Sequence, residues 1–278
     1  MTAAQALRKH WPEYLIEGWA LGMFMLSAAL FATLLGAPRS PLVALLPDAT
    51  LRGALGGVAM GTTAIALIYC PWGQRSGAHM NPSVTLAFLH LGKIKGWDAA
   101  FYIGAQFAGG LLGVLIGAAL LGGAFTQPPV SYATTLPGPQ GVLVAFLAEF
   151  AISALMMATV LIFAGHARLS RYTGIAAGIL VAAYIAFEAP LSGMSMNPAR
   201  SFASAAPAMR WDHFWIYLTA PVLGMLGAAW LIGWRRARAA LPCAKLVHGA
   251  EVRCIHCGYE PTRDRRAAAQ TSSYGAVR

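Results

Sequence analysis

The chain has 278 residues, 58% of them hydrophobic and only 11% charged, and carries a formal net charge of +10. Soluble domains are roughly a quarter charged residues, so the composition excludes an ordinary soluble enzyme or binding module. The basic residues sit in short polar connections and at the C-terminal end, where membrane topology accounts for them, and nucleic acid is not expected as a partner.

Six apolar stretches are long enough to cross a bilayer as helices, at about 14–36, 53–72, 97–122, 142–164, 172–190 and 212–234. The first follows Arg8 and Lys9 and has no small-residue cleavage site after it, so it reads as a retained span. Trp11, Tyr14, Trp72, Trp97, Tyr102, Tyr172, Trp211, Trp215 and Trp234 fall near the ends of the stretches, as an interfacial aromatic belt would. With the N-terminus inside, only Arg39, Arg52, Arg200 and Arg210 of the 20 Lys and Arg lie outside, which places both termini in the cytoplasm of a cell (inner or plasma) membrane.

Two further apolar segments, starting at Asn81 and Asn197, are only half a membrane long as helices. The frame Ser76-Gly77-Ala78-His79-Met80-Asn81-Pro82-Ser83 returns 116 residues later as Ser192-Gly193-Met194-Ser195-Met196-Asn197-Pro198-Ala199, and Glu17 of the first span has a counterpart in Glu149 of the fourth. Three spans plus a short segment therefore occur twice, and an odd number of spans inserts the second copy upside down. Paired short segments in inverted halves point to a pathway at the bilayer midplane. Asn is a good N-cap and Pro suits the first helical position, so each Asn-Pro pair starts a half-helix whose partial positive end aims at the membrane centre. The preceding residues Gly77, Ala78, His79 and Gly193, Met194, Ser195 run extended, and their carbonyls form a ladder of acceptors along a wet path.

The frames SGAHMNPSVTLA and SGMSMNPARSFA resemble the two signature loops of the aquaporin (major intrinsic protein) family, a resemblance that covers residues 14–234. It implies an all-α membrane protein: a right-handed bundle of six transmembrane helices and two half-helices with an inverted internal repeat, assembled as a homotetramer in membrane lipid, passing a small neutral solute and needing no cofactor. Asn81 and Asn197 would donate to the solute at the pore centre, flanked by Pro82, Ser83, Pro198 and Ala199, with Ser83 standing where the family usually has Ala. Arg200 would line the outer selectivity filter; a charge inside an apolar membrane segment is functional by default. Spacing adds Ile185, Met194 and Gly61, or Met60 if one residue is inserted near Pro71. The His typical of water-specific members is missing from the fifth span, and so is the aromatic-plus-small pair typical of glycerol channels. Ser201, Ala205 and Phe214-Trp215 fit the water-type branch, which makes water the expected solute, through a filter more apolar than usual; glycerol, hydrogen peroxide and ammonia are the alternatives. Glu17 and Glu149 are expected to brace the loop N–H groups rather than relay protons, and His79 either lines the inner vestibule or braces its loop.

Three parts follow: an N-terminal segment 1–13, a channel domain 14–235 with repeats at about 14–122 and 142–235, and a cytoplasmic tail 236–278. In the tail, Cys243-x4-His248-x5-Cys254-x2-Cys257 supplies four soft ligands, enough for a tetrahedral Zn²⁺, with Gly258 permitting the tight turn. Reversible dithiol chemistry and incidental thiols are the other readings, and the family resemblance supports none of the three. From about Pro261 the tail reads as disordered, its arginines suited to anionic headgroups. A function of another class, a membrane-anchored metal or redox sensor, would rest on this tail. No nucleophile–base constellation appears in the membrane domain, so an enzyme is not expected.

Overall fold

The computed structural model describes residues 1–233, 241, 243–249 and 251–261. Expected disorder beyond Pro261 lies outside the described residues. Twelve α-helices occur among the described residues: α1 (Ala3–Gly36), α2 (Pro41–Leu45), α3 (Ala49–Tyr69), α4 (Pro71–Ser76), α5 (Pro82–His90), α6 (Gly96–Leu121), α7 (Gly123–Thr126), α8 (Val142–Ala164), α9 (Thr173–Phe187), α10 (Ala189–Ser192), α11 (Pro198–Ala208) and α12 (Trp215–Ile232). Six of them are long and apolar enough to cross a membrane: α1, α3, α6, α8, α9 with the turn before it, and α12. They match the six expected stretches. The first helix starts at Ala3, well before Tyr14, because Thr2 and Gln5 form a reciprocal capping box there.

The long helices pack in corresponding sets: α1 on α6 and α8 on α12, α3 on α9 across the middle, with α11 against α6 and α5 against α12. Lipid tails are as apolar as leucine, so helices in a bilayer associate through close van der Waals packing at small residues. Here glycine supplies it. A Cβ on Gly109 would meet the Gly18 carbonyl oxygen at 2.0 Å, one on Gly113 the Gly22 oxygen at 2.2 Å, and one on Gly224 the Phe150 oxygen at 2.4 Å. Gly109→Val is therefore expected to split α1 from α6 and lose the folded protein, because the clash is with backbone. Gly104→Ala, whose Cβ would meet nothing within 4 Å, leaves thermal stability in detergent unchanged. Equal melting temperatures for the two variants would contradict this packing.

Two of the residues assigned to an interfacial belt are instead buried. The Tyr14 hydroxyl donates to Asp98 at 2.6 Å and the Tyr102 hydroxyl to the Ser76 carbonyl at 2.6 Å. Each phenol has a partner inside the protein, so neither needs the headgroup region.

Candidate functional site: a central pore and its terminal-face mouth

Both Asn-Pro segments open helices as their local chemistry demands. Asn81 is extended (φ −157°) and its Oδ1 accepts from Ser83 N at 2.8 Å; Asn197 is extended (φ −148°) and its Oδ1 accepts from Ala199 N at 3.1 Å and Arg200 N at 3.2 Å. The proline after each stands where a helix N–H would have no partner. The carboxamides also cross. Asn81 Nδ2 donates to the Met196 carbonyl at 2.7 Å, and Asn197 Nδ2 donates to the Met80 carbonyl at 2.7 Å. Each half-helix tip is thus tied to the loop that precedes the other. A carboxamide nitrogen carries two hydrogens. One is committed to this strap, and the second is left for whatever occupies the cavity of about 440 Å³ that both Asn81 and Asn197 line. Pro82, Ser83, Pro198 and Ala199 do not line it; they are buried behind the two Asn. The Ser83 hydroxyl is buried without a partner and does not add a polar group to the cavity wall.

The two loops share one backbone solution. Gly77, Ala78 and Met80 have φ of 108°, 54° and 49°, and Gly193, Met194 and Met196 have 83°, 48° and 54°. Left-handed backbone at a residue with a Cβ costs roughly 1–2 kcal/mol, so something must hold these loops. Two buried carboxylates do. Glu17 Oε1 accepts from the Ser76 hydroxyl at 2.7 Å and His79 N at 3.0 Å, and Oε2 accepts from Met80 N at 2.7 Å and Gln106 Nε2 at 2.9 Å. Glu149 Oε1 accepts from the Ser192 hydroxyl at 2.9 Å and Ser195 N at 2.6 Å, and Oε2 from Met196 N at 2.7 Å. Tyr102 and Tyr217 add the same contact to each half, their hydroxyls donating to the Ser76 and Ser192 carbonyls at 2.6 Å. Sequence reading missed this role for both tyrosines. The signal available was a buried-phase Tyr in the third span of each half.

Ala78, His79, Gly193, Met194 and Ser195 line the cavity. Gly77 does not, and its place in the carbonyl ladder is corrected: its carbonyl accepts from Leu246 N of the tail at 3.2 Å. His79 both lines the cavity and braces its loop. It stacks on Phe88, its Nδ1 lies 3.0 Å from the Thr85 hydroxyl, and its Nε2 donates to the Ala244 carbonyl at 2.8 Å.

At the other end, Arg200, Ile185, Met194 and Met60 line the cavity together. Gly61 is turned away from it, which corrects the residue assigned from gapless spacing. A Cβ on Gly61 would meet the Gly178 carbonyl oxygen at 2.4 Å, so that face of α3 is the contact with α9, and Met60 takes the cavity-facing position. Arg200 sits in the first turn of α11 with its NH1 buried and unpaired among the described protein atoms. The residue as a whole is only half-buried, and its guanidinium is the polar member of a wall otherwise made of three apolar side chains.

The tail is folded against the face that carries the N-terminus. The ligand atoms of Cys243, His248, Cys254 and Cys257 all lie within 4.8 Å of one another. A tetrahedral zinc with Zn–S near 2.3 Å has ligands about 3.8 Å apart; His248 Nε2 and Cys257 Sγ are already 3.3 Å apart, and no pair has to close by more than about 1 Å. Gly258 is left-handed (φ 77°), and its N–H donates to the Cys254 carbonyl at 2.9 Å, closing the knuckle turn. A hydrogen bond from the Cys243 thiol holds Cys254 well below the usual thiol range, aided by His248 and the Lys245 ammonium, while the same bond pushes Cys243 up. A thiolate is the metal-binding form.

Known proteins agree with this architecture. The aquaporin NIP2-3 of Zea mays is 35% identical over 190 residues, 68% of this chain and 60% of its own length. The aquaporin NIP6-1 of Arabidopsis thaliana is 35% identical over 173 residues, 62% of this chain and 55% of its own length. The chain thus spans less than two thirds of these curated relatives. Among solved structures, the aquaglyceroporin from Plasmodium falciparum shares the fold, with a TM-score of 0.64, 17% identity, and coverage of 81% of this chain and 96% of that one. The sequence profile of the major intrinsic protein family matches residues 11–232, and the chain belongs to that family.

Proposed function

We propose that the protein is a passive, multi-pass membrane channel for small neutral solutes, water first, that excludes ions and protons and carries both termini in the cytoplasm. The observation that carries this reading is the crossed pair Asn81 and Asn197, each leaving an amide hydrogen toward one cavity. Two half-helix dipoles converging there repel cations and orient a central water so that a proton wire breaks. Glycerol is the second reading, favoured by Met60, Ile185 and Met194 facing Arg200: three apolar side chains opposite one donor suit a solute with a hydrocarbon edge. Permeability of proteoliposomes to water, glycerol, hydrogen peroxide and ammonia separates the readings. Rates no higher than those of empty liposomes for all four solutes, with metal-stripped protein included, remove the channel reading.

Arg200→Val is expected to admit cations or protons, measured as a pH-dye leak under an imposed gradient, because it deletes the fixed charge that faces Met60, Ile185 and Met194. A leak equal to that of the unmodified protein would assign the barrier to the Asn centre alone. The homotetramer is proposed on family membership and is checked by the mass of the detergent-free particle. In the tail, Cys243, His248, Cys254 and Cys257 are proposed to hold one structural zinc-class ion; permeation itself needs no cofactor.

A further inference from the structure

We propose that residues 243–249 and 251–261 form a metal-organised plug seated in the cytoplasmic mouth of the pore, so that occupancy of the Cys243/His248/Cys254/Cys257 site closes the channel and loss of the ion opens it. This rests on the channel and zinc readings above and adds their coupling.

The tail is docked by polar contacts to the pore loop itself. Ala244 O accepts from His79 Nε2 at 2.8 Å, Leu246 N donates to Gly77 O at 3.2 Å, and Lys245 Nζ donates to Gln74 O at 2.8 Å. His256 Nε2 lies 3.2 Å from the Ser76 carbonyl. These partners are the residues that lead into Asn81. Leu241, Ala244 and Leu246 are buried and join the core cluster of Phe88, Leu91 and Tyr102, and Leu246 forms part of the wall of the pore cavity. A latch closes the far side: Glu13, fully buried, accepts from Arg253 Nε at 3.0 Å and NH2 at 3.2 Å, and from Arg75 Nε at 3.0 Å.

The ion would sit between the two segments of this plug. Cys243 and His248 flank the segment that enters the mouth, and Cys254 and Cys257 belong to the segment that reaches Glu13 and Ser76. One ion therefore cross-links the inserted piece to the latched piece. Without it, Ala244–Leu246 keep their apolar contacts and a few hydrogen bonds that water can replace, and lose their tie to the piece latched at Glu13. His79 Nε2 and Gly77 O, now taken by the tail, are then freed to meet water at the mouth.

The test uses the full chain in proteoliposomes, with zinc per chain measured beside stopped-flow water permeability. Unmodified protein is expected to carry one zinc. Stripping with a strong chelator under reducing conditions should raise permeability by at least about fivefold, the low end of ordinary coupling between a ligand and a two-state element, and added Zn²⁺ should restore the low rate. The double variant Leu246→Ala/Arg253→Ala keeps all four ligands and should be open with zinc still bound, which separates gating from any unfolding caused by metal removal. Zinc bound, with permeability indifferent both to chelation and to the double variant, overturns the plug and leaves the metal site. No zinc in purified protein or after incubation with Zn²⁺ overturns the metal reading and the metal gate with it. Impermeability in every state overturns the channel reading and the plug together.

Discussion

Glu17→Ala is expected to yield no folded protein, and Glu149→Ala a folded but clearly weakened one. Among the described residues, Glu17 alone accepts from the Ser76 hydroxyl and from His79 N and Met80 N, all at membrane depth. Each buried donor left unpaired costs about 1–3 kcal/mol, so the loss is about 3–9 kcal/mol, against a whole stability of about 5–15 kcal/mol. Gln106 escapes, because Thr85 Oγ1 also accepts from it at 3.1 Å. In the second half the Ser192 hydroxyl has Glu188 as another acceptor, so Glu149→Ala strands only Ser195 N and Met196 N. The order is the informative part. Size-exclusion profiles and melting temperatures in detergent should rank unmodified protein above Glu149→Ala above Glu17→Ala, and a reversed order would show that the two carboxylates do not hold the loops as drawn.

The second large effect is expected at the centre. Asn197→Leu removes the cap on Ala199 N and Arg200 N, the strap to Met80 O and the free amide hydrogen facing the cavity. Cap and strap together contribute about 2–3 kcal/mol to stability. Passage suffers more. A water crossing a tip that offers no donor forfeits a hydrogen bond worth about 1–3 kcal/mol, so permeability per folded molecule should fall at least about fivefold and its activation energy should rise. Wild-type permeability in a correctly folded Asn197→Leu protein would mean that the solute takes its hydrogen bonds elsewhere.

The spans and the half-helices were legible because the bilayer leaves backbone few choices: a stretch of that length and polarity has to be a helix, and a half-length one has to find a partner half. Asn81 and Asn197 were legible for the same reason, as caps repeated in one frame. The loop carboxylates were legible from count, one acid per half beside one loop per half. Met60 against Gly61 was not. A helix turns about 100° per residue, so one residue of slack near Pro71 exchanges the cavity face for the α9 face, and only the Gly61–Gly178 contact decides it. Tyr14 and Tyr102 misled because an aromatic near a span end looks alike whether its hydroxyl meets headgroups or a carbonyl inside. The docking of the tail was the least legible feature. It is made largely through main-chain groups of Lys9, Gln74, Ser76, Gly77, Leu241 and Ala244, and a main-chain carbonyl carries no signature in the residue that bears it. Glu13, which anchors it, looks in the sequence like one more charge ahead of the first span.

The crossed carboxamides have a mechanical consequence. Each half of the molecule grips the other at its narrow waist, so the waist cannot dilate without both grips failing at once. On the proposed channel reading, adjustment is left to the two rims: the ring around Arg200, and the opposite rim, where Ala244 and Leu246 fold against the loop before Asn81.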